Sequence, residues 1–333
     1  MRIALLLNKT MALNVFCKNT FSRLTELGAD CAVNDLPDTV TVKWMCDQIA
    51  DAQIAVTCWG SLPLTAEVLS YAPELQFLAH AAGSPRPVVT EDLWERNIRV
   101  TCASPMIADD VAETTLGIMI TQLKKLPLLA EITRNDGWNY DHIRPGMRRL
   151  NGLTVGIVGA SFVGRKVIEL LKPFNTKTLV FDPYLSDHTA STLGVSSVSL
   201  DTLFSQSDVV SIHAPSLKST YHMIGEKQLS LMKDGSLLIN NARGKLVDES
   251  ALIAELKAGR IYAALDVTDP EPPLPGHPFR SLSNVFLTPH LAGGQTVNGR
   301  YMQGNFIVRQ IERFLAGKVL DYEVTQHMMS IIA

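Results

Sequence analysis

The sequence predicts an α/β protein of two domains, each a doubly wound parallel sheet covered by helices. Three observations point there. Short apolar and β-branched runs alternate with helical patterns across the first hundred residues, and the alternation restarts near residue 154 and continues to 288. At the restart, Thr154–Val158 reads as a short buried strand that breaks into a glycine-flanked turn and resumes as a helix with Val163, Val167, Ile168 and Leu171 at helical spacing. At 333 residues the chain is long enough for about two such cores.

In the first rhythm, apolar runs at 3–7, 31–33, 54–57, 75–80 and 98–101 alternate with helical patterns at 15–27, 42–49, 64–69 and 90–95. A longer helical segment, 111–126, is opened by Ser104, Pro105, Asp109 and Asp110 and serves as a connector. The stretch 134–149 holds Trp138, Tyr140 and Arg144-Pro145-Gly146 and reads as irregular surface chain. Its aromatics suit a subunit contact or a pocket rim, or a Trp138 packed onto its own domain. In the second rhythm, strands are predicted over 154–158, 178–182, 209–213, 236–240, 262–267 and 285–288, with helices over 163–171, 200–205, 226–232 and 249–257. Six strands with crossovers are what a complete dinucleotide-binding sheet needs. A last helix, 297–315, precedes Gly317, and the tail with Met328, Met329, Ile331 and Ile332 is apolar enough to dock.

Composition removes several classes of function. A formal charge of −3 gives no global attraction to nucleic acid or to an anionic membrane surface. No apolar run is long enough for a transmembrane helix, and the first seven residues read as a strand and not as a signal peptide. Five cysteines, Cys17, Cys31, Cys46, Cys58 and Cys102, lack the spacing of a metal site, so no metal is expected and a reduced, cytoplasmic chain is the simple reading.

The turn Gly159-Ala160-Ser161-Phe162-Val163-Gly164 carries the first and third glycines of the G-x-G-x-x-G pattern, with Ser161 at the second. A helix N-terminus there offers unpaired N–H groups and a partial positive charge to a pyrophosphate. Asp182 follows Gly159 at the offset of a carboxylate that accepts from the adenosine ribose hydroxyls, although a turn residue before Pro183 is the simpler alternative. No Arg or Lys stands between 183 and 188 to meet a 2′-phosphate, so NADH is preferred over NADPH. Polar residues recur at the predicted strand ends: Asp182, His213, Asn240 to Gly244, Asp266 with Glu271, and Thr288 with His290. Arg243, in a glycine-bounded loop, suits a carboxylate clamp; alternatively it pairs with Asp248 or Glu249 to hold its own loop. His290 is the candidate acid/base, because a carboxylate beside it, Glu271, fixes its tautomer and lets it donate a proton to a carbonyl being reduced.

Together, Asn241-Ala242-Arg243-Gly244, Val247-Asp248-Glu249, the run from Asp266 to Pro272, the run from Leu287 to Gly293, His213-Ala214-Pro215 and Val111-Ala112-Glu113 resemble the signatures of the D-isomer-specific 2-hydroxyacid dehydrogenases. The resemblance spans roughly residues 75–325. It implies a Rossmann NAD-binding domain, 103–290, inserted into a flavodoxin-like substrate domain made of 1–102 and 291–333. It implies a catalytic set of Arg243, Glu271 and His290, and cofactor contacts at Gly159, Ser161, Phe162, Val163, Gly164, Asp182, Pro215, Thr220, Ala242, Arg243, Asp266, His290 and Gly293, with Asp266 near the nicotinamide carboxamide. Substrate contacts would be Ala82, Gly83, Arg243 and His290, the substrate a small 2-oxoacid or 2-hydroxyacid, and the assembly a homodimer joined through 105–150. An NAD(H)-sensing, corepressor-like protein with little turnover is the alternative within the same fold.

Three departures from the family pattern stand out. Ser161 replaces a glycine, and Ile107 stands where many members have Asn. Ser84-Pro85-Arg86-Pro87 follows Gly83 in place of a Gly-x-Asp pattern, and Arg86 is either a solvated surface residue or an added charge for a phosphorylated or dicarboxylic substrate.

Overall fold

A computed structural model describes residues 1–29 and 32–332, and the chain divides into two compact units, Met1–Asp110 with Gly294–Ala333, and Val111–Gly293. These breaks lie a few residues beyond those expected after 102 and 290. The helix Ser104–Leu123 runs through the first of them.

In the first unit, β1 (Ile3–Leu5), β2 (Ile54–Thr57), β3 (Phe77–His80) and β4 (Arg99–Cys102) form a parallel sheet in that order, with Ile3 beside Ile54, Ile54 beside Phe77 and Phe77 beside Arg99. Isolated bridges extend it on both sides, Ala29 parallel to Ile3 and Val324 antiparallel to Val100. The chain therefore winds outward from β1 in both directions. Because successive side chains point to opposite faces, each strand feeds two cores, and it must be apolar throughout. Ile3, Leu5, Val56, Phe77 and Ala79 pack with Phe306, Ile307 and Ile311 of the helix Val297–Leu315. Ala4, Ala55, Leu78 and Val100 pack with Met45 and Ile49 of the helix Val42–Ile49.

The helix expected over 15–27 is Lys18–Leu27, and a further helix, Lys9–Val15, precedes it. Phe16 and Cys17 are extended between them, and Asn8 starts the first by accepting from Met11 N. That cap lies in sequence ahead of the apolar stripe, which is why the stripe alone missed it. Cys31, in the run expected at 31–33, lies outside the described residues, and Val33 opens the 3-10 turn Val33–Asp35. The connector begins earlier than expected, at Ser104, and a second helix, Leu126–Arg134, follows it after Lys125, whose backbone is left-handed. Trp138 is 83% exposed, so it does not pack onto its own unit. Met328, Met329 and Ile332 of the tail dock against the second core cluster.

The second unit is one parallel sheet of seven strands: β5 (Thr154–Val158), β6 (Lys177–Phe181), β7 (Ser196–Ser197), β8 (Val209–Ile212), β9 (Leu237–Asn240), β10 (Tyr262–Leu265) and β11 (Val285–Leu287). Their order is β11-β10-β9-β8-β5-β6-β7, so the direction of winding switches between β5 and β8. The sequence yielded six of these strands. β7 is two exposed serines on the edge, with no apolar pattern to reveal it. No helix among the described residues is long and apolar enough to cross a membrane.

Candidate active site

A parallel sheet of this winding gathers its strand ends at one edge, and the switch between β5 and β8 opens a crevice there because neighbouring connections leave in opposite directions. At the end of β5, Gly159 has a φ of +97°, and a Cβ on it would lie 2.8 Å from Ala214 N, so only glycine fits. Gly164 lies so close under Gly159 O that a Cβ there would collide with it. Ser161 is different: its backbone is extended, and its Oγ caps the helix Phe162–Leu171 by accepting from Gly164 N while donating to His213 O at 2.9 Å. Val163 is half-buried against the core beneath, and Phe162 is exposed. The turn thus fits a pyrophosphate: a close backbone approach and a capped helix N-terminus at the switch point.

Asp182 follows β6. Its Oδ2 accepts from Ala160 N at 2.7 Å and its Oδ1 from Tyr184 N at 2.8 Å. It therefore serves as a turn residue and also ties the β6 end to the glycine turn. After β8, Thr220 Oγ1 closes the loop by donating to Pro215 O and accepting from Leu217 N. His213 is buried beside Ser211 Oγ, and burial pushes its pKa down to about 3, so it is a neutral core histidine. His80 of the first unit is the same kind of residue, bonded to Thr57 Oγ1 and pushed down to about 4 by burial.

After β9, Asn240 Nδ2 donates to Arg243 O and Asn240 Oδ1 accepts from Ala242 N, which folds the loop into a fixed arc. Gly244 then presses against the Thr268–Asp269 peptide, where no Cβ could stand. Arg243 pairs with neither Asp248, which caps the helix Glu249–Lys257, nor Glu249, which faces Asp269 N and His277. Its guanidinium donates to Ala242 O at 2.7 Å. Burial lowers the Arg243 pKa from its ordinary value, with the Glu271 carboxylate acting against that. A desolvated cation of this kind gains from an anionic ligand.

His290 and Glu271 meet across the ends of β10 and β11, with Nδ1 2.5 Å from Oε1. Both are partly exposed, at 46% and 39% of their side chains. The backbone of His290 is left-handed, with φ +51°. Asp266, 2% exposed, holds that backbone: its Oδ1 accepts from Thr288 Oγ1 and Leu291 N, its Oδ2 from Ala292 N, and its carbonyl from His290 N. Ala242 packs against the core below, and Gly293 is half-buried beyond the arc. Sequence reasoning missed Asn240 as the pin of the Arg243 loop; its signal was an Asn closing an apolar strand, where a side chain can serve both partners of a tight turn.

In the first unit, Ala82 is buried, its carbonyl accepts from Ala103 N, and Gly83 O accepts from Ser104 Oγ at 2.5 Å. Ile107 Cδ1 lies 3.3 Å from where a Gly83 Cβ would be, so an apolar group covers this turn. Arg86 is neither simply solvated nor poised for a ligand. Its guanidinium donates to Met329 O and Ile332 O and fastens the tail.

Sheet order, glycine turn and polar strand ends define an α/β protein of the dinucleotide-binding kind, with a histidine–carboxylate pair at its strand ends. Residues 116–292 match the NAD binding domain of the D-isomer specific 2-hydroxyacid dehydrogenases. A glyoxylate reductase of Thermofilum pendens is 32% identical over 83% of this chain and 83% of its own length. A D-3-phosphoglycerate dehydrogenase of Methanocaldococcus jannaschii is 31% identical over 85% of this chain and 53% of its own, so the chain spans about half the length of that relative. The apo D-mandelate dehydrogenase of Rhodotorula graminis shares the fold, with a TM-score of 0.83 at 23% identity over 98% of this chain and 97% of that one. An acyclic imino acid reductase in complex with NADPH and D-Arg gives a TM-score of 0.79 at 25% identity over 98% and 100%. The chain belongs to the D-isomer specific 2-hydroxyacid dehydrogenase family.

Proposed function

We propose that this chain is an NAD-dependent oxidoreductase that interconverts a 2-oxoacid and a D-2-hydroxyacid. The observation that carries the reading is the Glu271–His290 pair with the half-buried Arg243 guanidinium at the same strand ends. The reduced nicotinamide, when bound, supplies the hydride. With Nδ1 turned to Glu271, His290 is left with Nε2 to give a proton to the carbonyl oxygen, or to take one from the hydroxyl in reverse. Arg243 would hold the substrate carboxylate through paired N–H donors. The Ala82-Gly83 turn is a second proposed carboxylate contact, through its backbone. Asp182 at the β6 end and the absence of Arg and Lys over 183–188 support NADH over NADPH. The free thiols Cys17, Cys46, Cys58 and Cys102 support a cytoplasmic setting. Exposed Leu126, Leu128, Trp138 and Tyr140 support a homodimer.

The test is NADH oxidation, with NADPH as control, against a panel of 2-oxoacids: glyoxylate, hydroxypyruvate, its 3-phosphate and branched members. His290→Ala should abolish turnover while NADH still quenches protein fluorescence at the wild-type concentration. Undiminished turnover in that variant would refute the role of His290.

A further inference from the structure

Glu271 accepts from His290, yet it sits on a loop, Asp269 to Pro272, that leaves the end of β10 with no strand or helix of its own. Something must fix that loop if a partly exposed carboxylate is to stay within 2.5 Å of one ring nitrogen. Glu249, the first residue of its helix, reaches across to it: Oε1 accepts from Asp269 N at 2.8 Å. Its other oxygen, Oε2, is 3.4 Å from His277 Nε2. His277 Nδ1 accepts from Phe279 N, so Nε2, the nitrogen next to Glu249, carries the ring proton. The imidazole is packed edge-on against the buried Phe279 ring, with centroids 4.7 Å apart. Both polar side chains are more than four-fifths covered.

We propose that Glu249 and His277 form a latch that positions the Glu271 loop, and that they thereby set the proton on His290. The chain of contact is continuous: Phe279 holds His277, His277 holds Glu249, Glu249 holds the Asp269 peptide, and two residues on stands Glu271. Gly244 packs against the same peptide, so the Arg243 loop and the Glu271 loop share one support. The titratable groups facing Glu249 are His277, Asp269 and His222, the last stacked on Tyr221. Burial raises the Glu249 pKa, and the Asp269 N–H opposes it.

This latch rests on the proposed role of His290, so its test has a readout that needs no turnover. Nitrogen-15 shifts of the His290 ring at alkaline pH report which ring nitrogen bears the proton of the neutral form. The wild type should show the proton on Nδ1, held by Glu271, and Glu271→Ala should move it to Nε2. Glu249→Ala should follow Glu271→Ala, while Glu249→Gln, whose amide oxygen still accepts from Asp269 N, should follow the wild type. Thermal unfolding of both Glu249 variants checks that each is folded. Retention of the Nδ1 tautomer in Glu249→Ala, or its absence from the wild type, would overturn the latch. In turnover, Glu249→Ala should lower kcat about tenfold or more with KM changed less than about threefold, as expected for a group acting through the proton donor. An inactive wild type with the tautomer pattern intact would sink the proposed reaction and leave the latch standing.

Discussion

Replacing Asp266 by Asn separates two roles that the sequence could not distinguish. The carboxylate accepts three hydrogen bonds, all from the arc 288–292, and its backbone carbonyl takes a fourth from His290 N. Asn retains one oxygen. If that oxygen keeps Thr288 Oγ1 and Leu291 N, the new NH₂ faces the Ala292 N–H, donor against donor, at a residue only 2% exposed. Losing charge assistance weakens the retained bonds by about 1 kcal/mol each, and a stranded buried donor costs about 1–3 kcal/mol more, so the variant should lose roughly 3–5 kcal/mol. Against the 5–15 kcal/mol typical of a folded domain, that loss is readily measured in urea. The left-handed backbone of His290 costs about 1–2 kcal/mol by itself, so a loosened arc should relax it and break the contact with Glu271. The expected outcome is a lower unfolding midpoint together with a fall in turnover. An unchanged midpoint with weaker NADH binding would refute the anchoring role and make Asp266 a ligand contact only.

Two further outcomes follow from residues away from the acid/base pair. His80 and His213 are buried as neutral rings, pushed down to about 4 and about 3. The unfolded chain therefore takes up protons that the folded chain refuses: stability is full above about pH 6.5 and falls by about 1.4 kcal/mol per pH unit for each histidine below it, until the folded value is reached. Urea midpoints measured from pH 8 to 5 should show this slope, and His213→Asn should flatten it; an unaltered slope counts against the assignment. Arg86→Ala should expose the tail, residues 327–332, to hydrogen exchange while the KM for a phosphorylated 2-oxoacid changes less than about twofold, since its Nε and Nη2 are held by Met329 O and Ile332 O. A large rise in KM confined to substrates with a second anionic group would restore the ligand role.

Most of the second unit could be read from its residues because each central strand is buried on both faces, which forces apolar runs such as Leu237-Leu238-Ile239, bounded by Ser236 and Asn240. Those polar ends are also the candidate site, so fold and site were visible through one pattern. What stayed hidden depends on contacts between loops distant in sequence. Nothing in Glu249 announces that it holds Asp269, and nothing in Arg86 that its partners are 243 and 246 residues away. The first of the two helices near the N-terminus stayed hidden, and the start of the second was set too early, because the break at Phe16 and Cys17 contains neither Gly nor Pro.

Ser161 shows why a fingerprint can lose a glycine without losing its shape. The three positions of the pattern answer to different physical demands. Gly159 needs a positive φ, and Gly164 needs the absence of a Cβ beneath Gly159 O; neither can be met by another residue without moving backbone. The middle position has φ −64° and ψ −178°, a conformation open to any residue, so serine incurs no backbone strain there. It also gains an N-cap, worth about 1 kcal/mol, by accepting from Gly164 N. The hydroxyl proton goes to His213 O, which joins the end of β5 to the end of β8 across the switch in winding. Serine thus turns a position of chain freedom into a tie between the two strand ends that flank the crevice, and the positive end of the helix is left in place for a phosphate.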